Sequence, residues 1–163
     1  MPIFFWRGDS RYMGGGRHNA NSTCSAVALR KASRRLSQFY DTALAPAGLT
    51  VTQYSLLTEL VKRGENAPTV TELAEAMVMD RSGLGHTLGP LERDGLIALA
   101  VDSRDARARN VVLTVRGKAL QKHATAFWAR AQKKFTEIFG ARQAADLHAT
   151  LLAIAHDERL GSS

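Results

Sequence analysis

Between Thr50 and Thr114 the sequence sets helix caps and stops so close together that only short elements fit between them. No other feature constrains the fold as much. Thr50 reads as the N-cap of a helix with Tyr54, Leu57, Leu60 and Val61 on one side, ended by Gly64. After a loop and a short extended pairing expected at Thr69-Val70, Thr71 reads as the cap of a second helix over residues 72–79. Asp80 caps a third, running through Arg81, Leu84, Leu88 and Leu91 to Asp94, where Gly95 supplies the left-handed residue that ends many helices. Residues 96–101 and 110–114 are apolar or β-branched runs of strand length around a polar, Arg-rich segment, which predicts a hairpin with a charged tip. Helix, helix, tight turn, helix, hairpin is the order of a winged helix-turn-helix.

Helical periodicity continues on both sides. Ser22 reads as the cap of a helix with Leu29, Ala32, Leu36, Phe39 or Tyr40, and Ala43 on one stripe, stopped by Pro46 and Gly48. Thr114 caps a long helix carrying Leu120, Ala124, Phe127, Ala131, Phe135 and Ile138 up to Gly140, and a last helix carries Leu147, Leu151, Ile154 and Ala155. These stripes exceed what a reading head of roughly 70 residues can bury, so they predict a dimer, with Phe127, Trp128 and Phe135 in its core. The expected class is mainly α (α+β), a winged helix-turn-helix with flanking N- and C-terminal dimerisation helices. The expected divisions are a flexible arm at 1–21, a dimerisation helix at 22–48, the winged domain at 49–116 and C-terminal dimerisation helices at 117–163.

Composition narrows the function classes. Across 163 residues, 45% hydrophobic and 23% charged, the balance is that of a folded soluble protein. The run Ile3-Phe4-Phe5-Trp6 is too short for a signal core or a membrane helix, and one cysteine, Cys24, suits a reducing compartment, so a cytoplasmic protein is expected. His18, His123, His148 and His156 lack metal-ligand spacing, and no catalytic triad, paired carboxylates or phosphate loop appears. Neither a metal, a cofactor nor an enzyme is expected. A net charge of +7 favours a polyanionic partner, yet between Glu65 and Arg116 six basic residues face eight acidic ones, so bulk charge does not locate the contact surface.

Pattern locates it instead. The major groove of B-DNA admits one α-helix, and the N-terminal half of the helix after the tight turn offers Arg81, Ser82, His86 and Thr87 to base edges. The hairpin tip offers Arg104, Arg107 and Arg109 to phosphates or a narrow minor groove. Gly83, Gly85 and Gly89 each weaken that reading helix by roughly 1 kcal/mol. The cluster Arg30-Lys31-Arg34-Arg35 reads as a solvated helix face.

The stretches Thr69-Val70-Thr71-Glu72-Leu73-Ala74, Asp80-Arg81-Ser82, Pro90-Leu91-Glu92-Arg93-Asp94-Gly95-Leu96 and Asp102-Ser103-Arg104-Asp105-Ala106-Arg107, followed by Val112-Leu113-Thr114, resemble the signature segments of the MarR regulators. The similarity spans roughly residues 24–158. The resemblance implies an obligate homodimer with interlocking first and last helices, a pseudo-palindromic duplex-DNA operator, and repression relieved by a small ligand, such as an aromatic acid, or by oxidation. It also implies that Asp105 braces the hairpin while Arg107 touches DNA. Some MarR relatives sense peroxide through a cysteine near the start of the first helix; register places that thiol near Ala26 and its tyrosine partner at Val51, two positions off from Cys24. Redox sensing through Cys24 and a winged-helix module that binds proteins are the alternatives carried forward.

Overall fold

A computed structural model describes residues 24–102 and 105–160. In chain order these form α1 (Ser25–Leu44), a 3-10 turn (Ala45–Ala47), α2 (Val51–Arg63), α3 (Val70–Ala76), α4 (Arg81–Arg93), β1 (Ile97–Val101), β2 (Arg109–Leu113), α5 (Val115–Phe139), α6 (Ala141–Ala155) and a 3-10 turn (Glu158–Leu160). None of these helices is long and apolar enough to cross a membrane. The arm expected at 1–21 and its following cap Ser22 lie outside the described residues. The first helical bond of α1 that is described runs from the Ala28 N–H to the Cys24 carbonyl, at 3.2 Å.

Local side chains start each helix of the reading head. Thr50 and Gln53 form a reciprocal capping box on α2, with Thr50 N–H donating to Gln53 Oε1 at 2.9 Å. α3 departs from the sequence expectation. Its cap is Thr69, not Thr71, because Thr69 and Glu72 stand at the spacing of a second capping box: Thr69 N–H donates to Glu72 Oε2 at 2.7 Å, and Glu72 N–H to Thr69 Oγ1 at 3.2 Å. The extended pairing expected at Thr69-Val70 reduces to a single bridge between Thr69 and Asn110, and Val70 already belongs to the helix. Asp80 caps α4 as expected, its Oδ1 accepting from Gly83 N–H at 2.7 Å.

α3 also stops earlier than residue 79. The Val78 N–H bonds the Glu75 carbonyl and the Met79 N–H bonds the Ala74 carbonyl, closing a Schellman motif with Val78 in its left-handed position at φ 51°. The same motif ends α4, but there Gly95 takes the left-handed position at φ 66°. A β-branched residue in that region is strained by roughly 1–2 kcal/mol. Val78 is 61% exposed, so its side chain returns little packing. Val78→Gly is therefore expected to raise the unfolding free energy by about 1 kcal/mol in urea melts. A loss of stability would show that the turn is not strained.

Tertiary burial holds α4 in place. Leu84, Leu88 and Leu91 recur at i, i+4 and i+7 and are at most 4% exposed. Each contributes about 2 kcal/mol on burial, against roughly 1 kcal/mol lost at each glycine. Pro90 stands inside α4 and leaves the His86 carbonyl without its helical donor. β1 and β2 pair antiparallel from Ile97 opposite Leu113 to Val101 opposite Arg109. The hairpin is sewn to the head by the Val111 N–H, which donates to the Pro68 carbonyl at 2.8 Å. Leu44, Leu56, Leu57, Leu73, Leu84, Leu91, Ile97 and Val111 are fully buried together in one core.

By internal contacts the chain divides between Arg34 and Arg35, inside α1. Of the first unit, residues 24–34 are described, and all their side chains are exposed. In the second unit Tyr40 OH donates to Gln132 Oε1 of α5 at 2.7 Å. Trp128, expected in a dimer core, packs within its own chain, stacked on Tyr54 with ring centroids 6.0 Å apart. Ile138, Phe139, Leu147, Leu152 and Ile154 on α5 and α6 remain uncovered in the single chain.

Candidate nucleic-acid interface

α4 turns one face to the core and the other to solvent. Arg81, Ser82, Gly85 and His86 are on the exposed face, while Thr87 is half-buried. The Thr87 hydroxyl donates to the Gly83 carbonyl at 3.2 Å, so its proton is spent within the helix. Arg81 reaches back across the turn, with Nη2 donating to Thr71 Oγ1 of α3 at 2.7 Å. A guanidinium has five donors, so this bond orients Arg81 without exhausting it. The side chains of Ser82 and His86 make no hydrogen bond among the described residues and present their polar atoms to solvent. These groups stand on the first two turns of α4, where the free N–H groups and the helix dipole favour an approaching phosphate.

The wing is built around a buried carboxylate. Asp102 is 6% exposed. Its Oδ1 accepts from Asp105 N–H at 3.0 Å, its Oδ2 from Asn110 Nδ2 at 2.8 Å, and its own N–H donates to the Ala108 carbonyl at 3.2 Å. Asp105 in turn accepts the Arg107 N–H at 2.9 Å. The hairpin tip is thus folded by two aspartates three residues apart, each gathering main-chain donors ahead of it. The Asp-x-x-Asp spacing carried that signal, since Asx turns are local.

The three wing arginines differ. Arg104 lies outside the described residues. Arg109 folds back, with Nη1 donating to the Ala106 and Ala108 carbonyls at 3.0 and 3.1 Å. Arg107 is exposed, and its guanidinium has no carboxylate partner among the described residues.

Removing the brace should be costly. Asp102→Ala leaves the Asp105 N–H and the Asn110 amide without their acceptor, a loss expected at about 2–3 kcal/mol in urea melts. Asp105→Ala, at an exposed position, should cost less than half as much. Equal effects would show that the buried carboxylate is not the anchor.

The wing meets α5 at a tight junction. Thr114 Oγ1 lies 2.8 Å from the Gly95 carbonyl and 3.0 Å from that of Leu96, and accepts from Gly117 N–H at 3.0 Å. Gly117 is buried in α5 directly against the Leu96 carbonyl.

Cys24 is exposed at the head of α1. Burial pushes the Tyr40 phenol above its ordinary value, so it stays protonated as the donor to Gln132. Val51, where a peroxide sensor would place tyrosine, donates its N–H to Asp41 Oδ1 at 2.6 Å.

A family model described as MarR family matches residues 47–108. The transcriptional activatory protein BadR of Rhodopseudomonas palustris is 35% identical over 77 residues, 47% of this chain. That match spans 44% of BadR, under half its length. The M. tuberculosis transcriptional regulator MosR in complex with DNA is 33% identical over 80% of this chain and 98% of its own, at a TM-score of 0.66. The repressor CouR, known from Rhodococcus jostii RHA1, is similar both on a 23-mer DNA duplex and with p-coumaroyl-CoA. Its DNA-bound chain is 28% identical over 82% of this chain and 93% of its own, at a TM-score of 0.73. The ligand-bound chain is 26% identical over the same shares, at 0.72.

Proposed function

The chain belongs to the MarR family of DNA-binding transcriptional regulators, and on that premise we propose that it is a homodimeric repressor released from a pseudo-palindromic operator by a small ligand. The observation that carries the reading is the solvent exposure of polar and basic groups on α4 and on the wing that follows it. Ser82 and His86 stand free beside an oriented Arg81, and an unpaired Arg107 projects from a wing held by buried Asp102. Base edges would be read by Arg81, Ser82 and His86, and phosphates held by Arg107, since phosphate contacts position and base contacts specify. Thr87 contributes its methyl group, and Arg109 its charge at the tip.

Dimerisation is supported by the uncovered apolar side chains of α5 and α6, which a second copy would bury. Two symmetric reading helices would then enter successive major grooves, with half-sites roughly 10 base pairs apart. A releasing ligand is supported by the similarity to CouR with p-coumaroyl-CoA bound. BadR is described as activatory, so the sign of regulation is read directly by in vitro transcription, where repression is expected.

The test is footprinting of selected DNA fragments alongside sedimentation. Two-fold protection by a species of twice the chain mass is expected. A folded monomer at low micromolar concentration, or one unsymmetric half-site bound at full affinity, would remove the dimeric reading. Binding that ignores salt would favour the protein-interaction module, because phosphate contacts release counterions. Cys24→Ser is expected to leave operator binding and its response to peroxide unchanged. Oxidation that releases only the wild type would establish the redox reading instead.

A further inference from the structure

From the hydrogen bond that joins the first turns of α3 and α4 we infer that Thr71 is a positioning residue for sequence recognition. Its hydroxyl holds the Arg81 guanidinium, charge intact, at the start of the reading helix, and so sets how sharply operator is told from other duplex DNA. The inference rests on the reading of Arg81 as a base contact and adds the group that aims it. Arg81 Nη2 donates to Thr71 Oγ1 at 2.7 Å, across a separation of 10 residues. Both ends of this bond are pinned. The capping box of Thr69 and Glu72 fixes the start of α3, and Asp80 fixes the start of α4. Leu73, two residues after Thr71, and Leu84, three after Arg81, are fully buried in the core. The approach of the two side chains thus follows from a backbone that caps and core already hold.

α4 itself offers Arg81 no lateral support. A side chain on a helix meets its neighbours at i+3 and i+4. For Arg81 the first is Leu84, inside the core, and the second is Gly85, where nothing lies within 4 Å of a Cβ position. Nor does a carboxylate take the guanidinium. Arg81 makes no ion pair among the described residues, and the adjacent Asp80 spends its Oδ1 on the Gly83 N–H at 2.7 Å. The chemistry of the partner matters here. A carboxylate would neutralise the cation before DNA arrives, and no partner at all would leave a long side chain to be ordered at the moment of binding, at a cost in affinity. A hydroxyl acceptor avoids both, because it takes one donor of the fork and none of the charge. Phosphate attracts a cation over a range of orientations, whereas a bidentate contact with a base edge needs the fork in one place. Loss of the hydroxyl should therefore lower discrimination between sequences and leave general affinity for DNA in place.

The experiment uses the full chain, with the tightest duplex selected by the wild type as operator probe and a scrambled duplex of the same length as control. Anisotropy titrations at three salt concentrations compare Thr71→Val, which keeps the shape and removes the hydroxyl, with Thr71→Ser, which keeps the hydroxyl. Thr71→Val should weaken operator binding about three- to tenfold, with scrambled binding and the salt slope unchanged. Thr71→Ser should stay within about twofold of wild type on both duplexes. In the Arg81→Ala background Thr71→Val should add nothing, since it acts through Arg81. Stoichiometric titration gives the active fraction of each variant, and Thr71→Ala serves as a second hydroxyl-free variant should valine disturb folding. Full discrimination by both hydroxyl-free variants, while Arg81→Ala loses it, would overturn the positioning role alone. So would failure of serine to rescue, or a loss that persists in the Arg81→Ala background, which would make Thr71 a contact in its own right. Full discrimination by Arg81→Ala itself would instead remove the base-contact reading and the positioning role with it.

Discussion

Gly117→Ala is expected to cost about 4 kcal/mol or more of unfolding free energy, enough to leave much of the population unfolded at growth temperature. The usual rule has the opposite sign, since alanine in a helix interior is worth roughly 1 kcal/mol over glycine. Here the added methyl would fall inside the van der Waals envelope of the Leu96 carbonyl oxygen and 2.9 Å from Leu113 Cδ1. Neither neighbour can yield cheaply. The Leu96 carbonyl accepts the Thr114 N–H at 3.2 Å and lies within reach of the Thr114 hydroxyl, so displacing it breaks the joint that hands the wing to α5. Leu113 closes the hairpin opposite Ile97, which is 2% exposed. The control is the same substitution elsewhere: at Gly85 a methyl meets nothing within 4 Å. Gly85→Ala should therefore raise stability by about 1 kcal/mol. Urea melts of the two variants side by side give the answer. A loss below 1 kcal/mol at Gly117 would mean that α5 does not seat against the wing root as described.

The contrast between those glycines shows what was legible in the residues. Thr50, Asp80 and Thr114 were readable as caps because each acts on an N–H three residues ahead. Gly95 was readable because a left-handed stop follows an apolar helical run. α3 was misread by one cap because Thr69 and Thr71 are equally good caps by type. Only Glu72, three residues after Thr69, decides between them. The strained turn at Val78 had no signal in residue type, since nothing local marks valine for a left-handed position. The constraint at Gly117 and the burial of Asp102 were invisible for a different reason. Gly117 is required by a contact with Leu96, far away in sequence, and Asp102 is buried only once the tip folds over it. In the same way the apolar stripe of α5 was legible, but not that Tyr54 would cover Trp128 within the same chain. Among the candidate contacts, type and position identified the exposed groups of α4. Geometry then separated Thr87, whose proton is spent inside the helix, from Ser82 and His86.

Arg107→Ala is expected to weaken binding to operator and to random duplex alike, by about tenfold near 0.1 M salt, and to reduce the salt slope by about 1. Its guanidinium is exposed and unpaired, so the charge is free to displace a counterion from phosphate without first breaking a bond. Its main chain is fixed by Asp105, whose Oδ1 accepts the Arg107 N–H, so truncating the side chain leaves the tip folded. Arg109→Ala should behave differently. Two of its hydrogen bonds hold the Ala106 and Ala108 carbonyls, so its loss loosens the tip while changing the salt slope less. His86→Ala should cost 1–3 kcal/mol on the operator and little on random DNA, because a group on the exposed face of α4 contributes by reading bases rather than by charge. Anisotropy titrations of the three variants against operator and scrambled duplex, at three salt concentrations, separate these roles. Should Arg107→Ala lower only operator affinity with an unchanged salt slope, the wing would be reading sequence, and the division of labour between wing and α4 would have to be reversed.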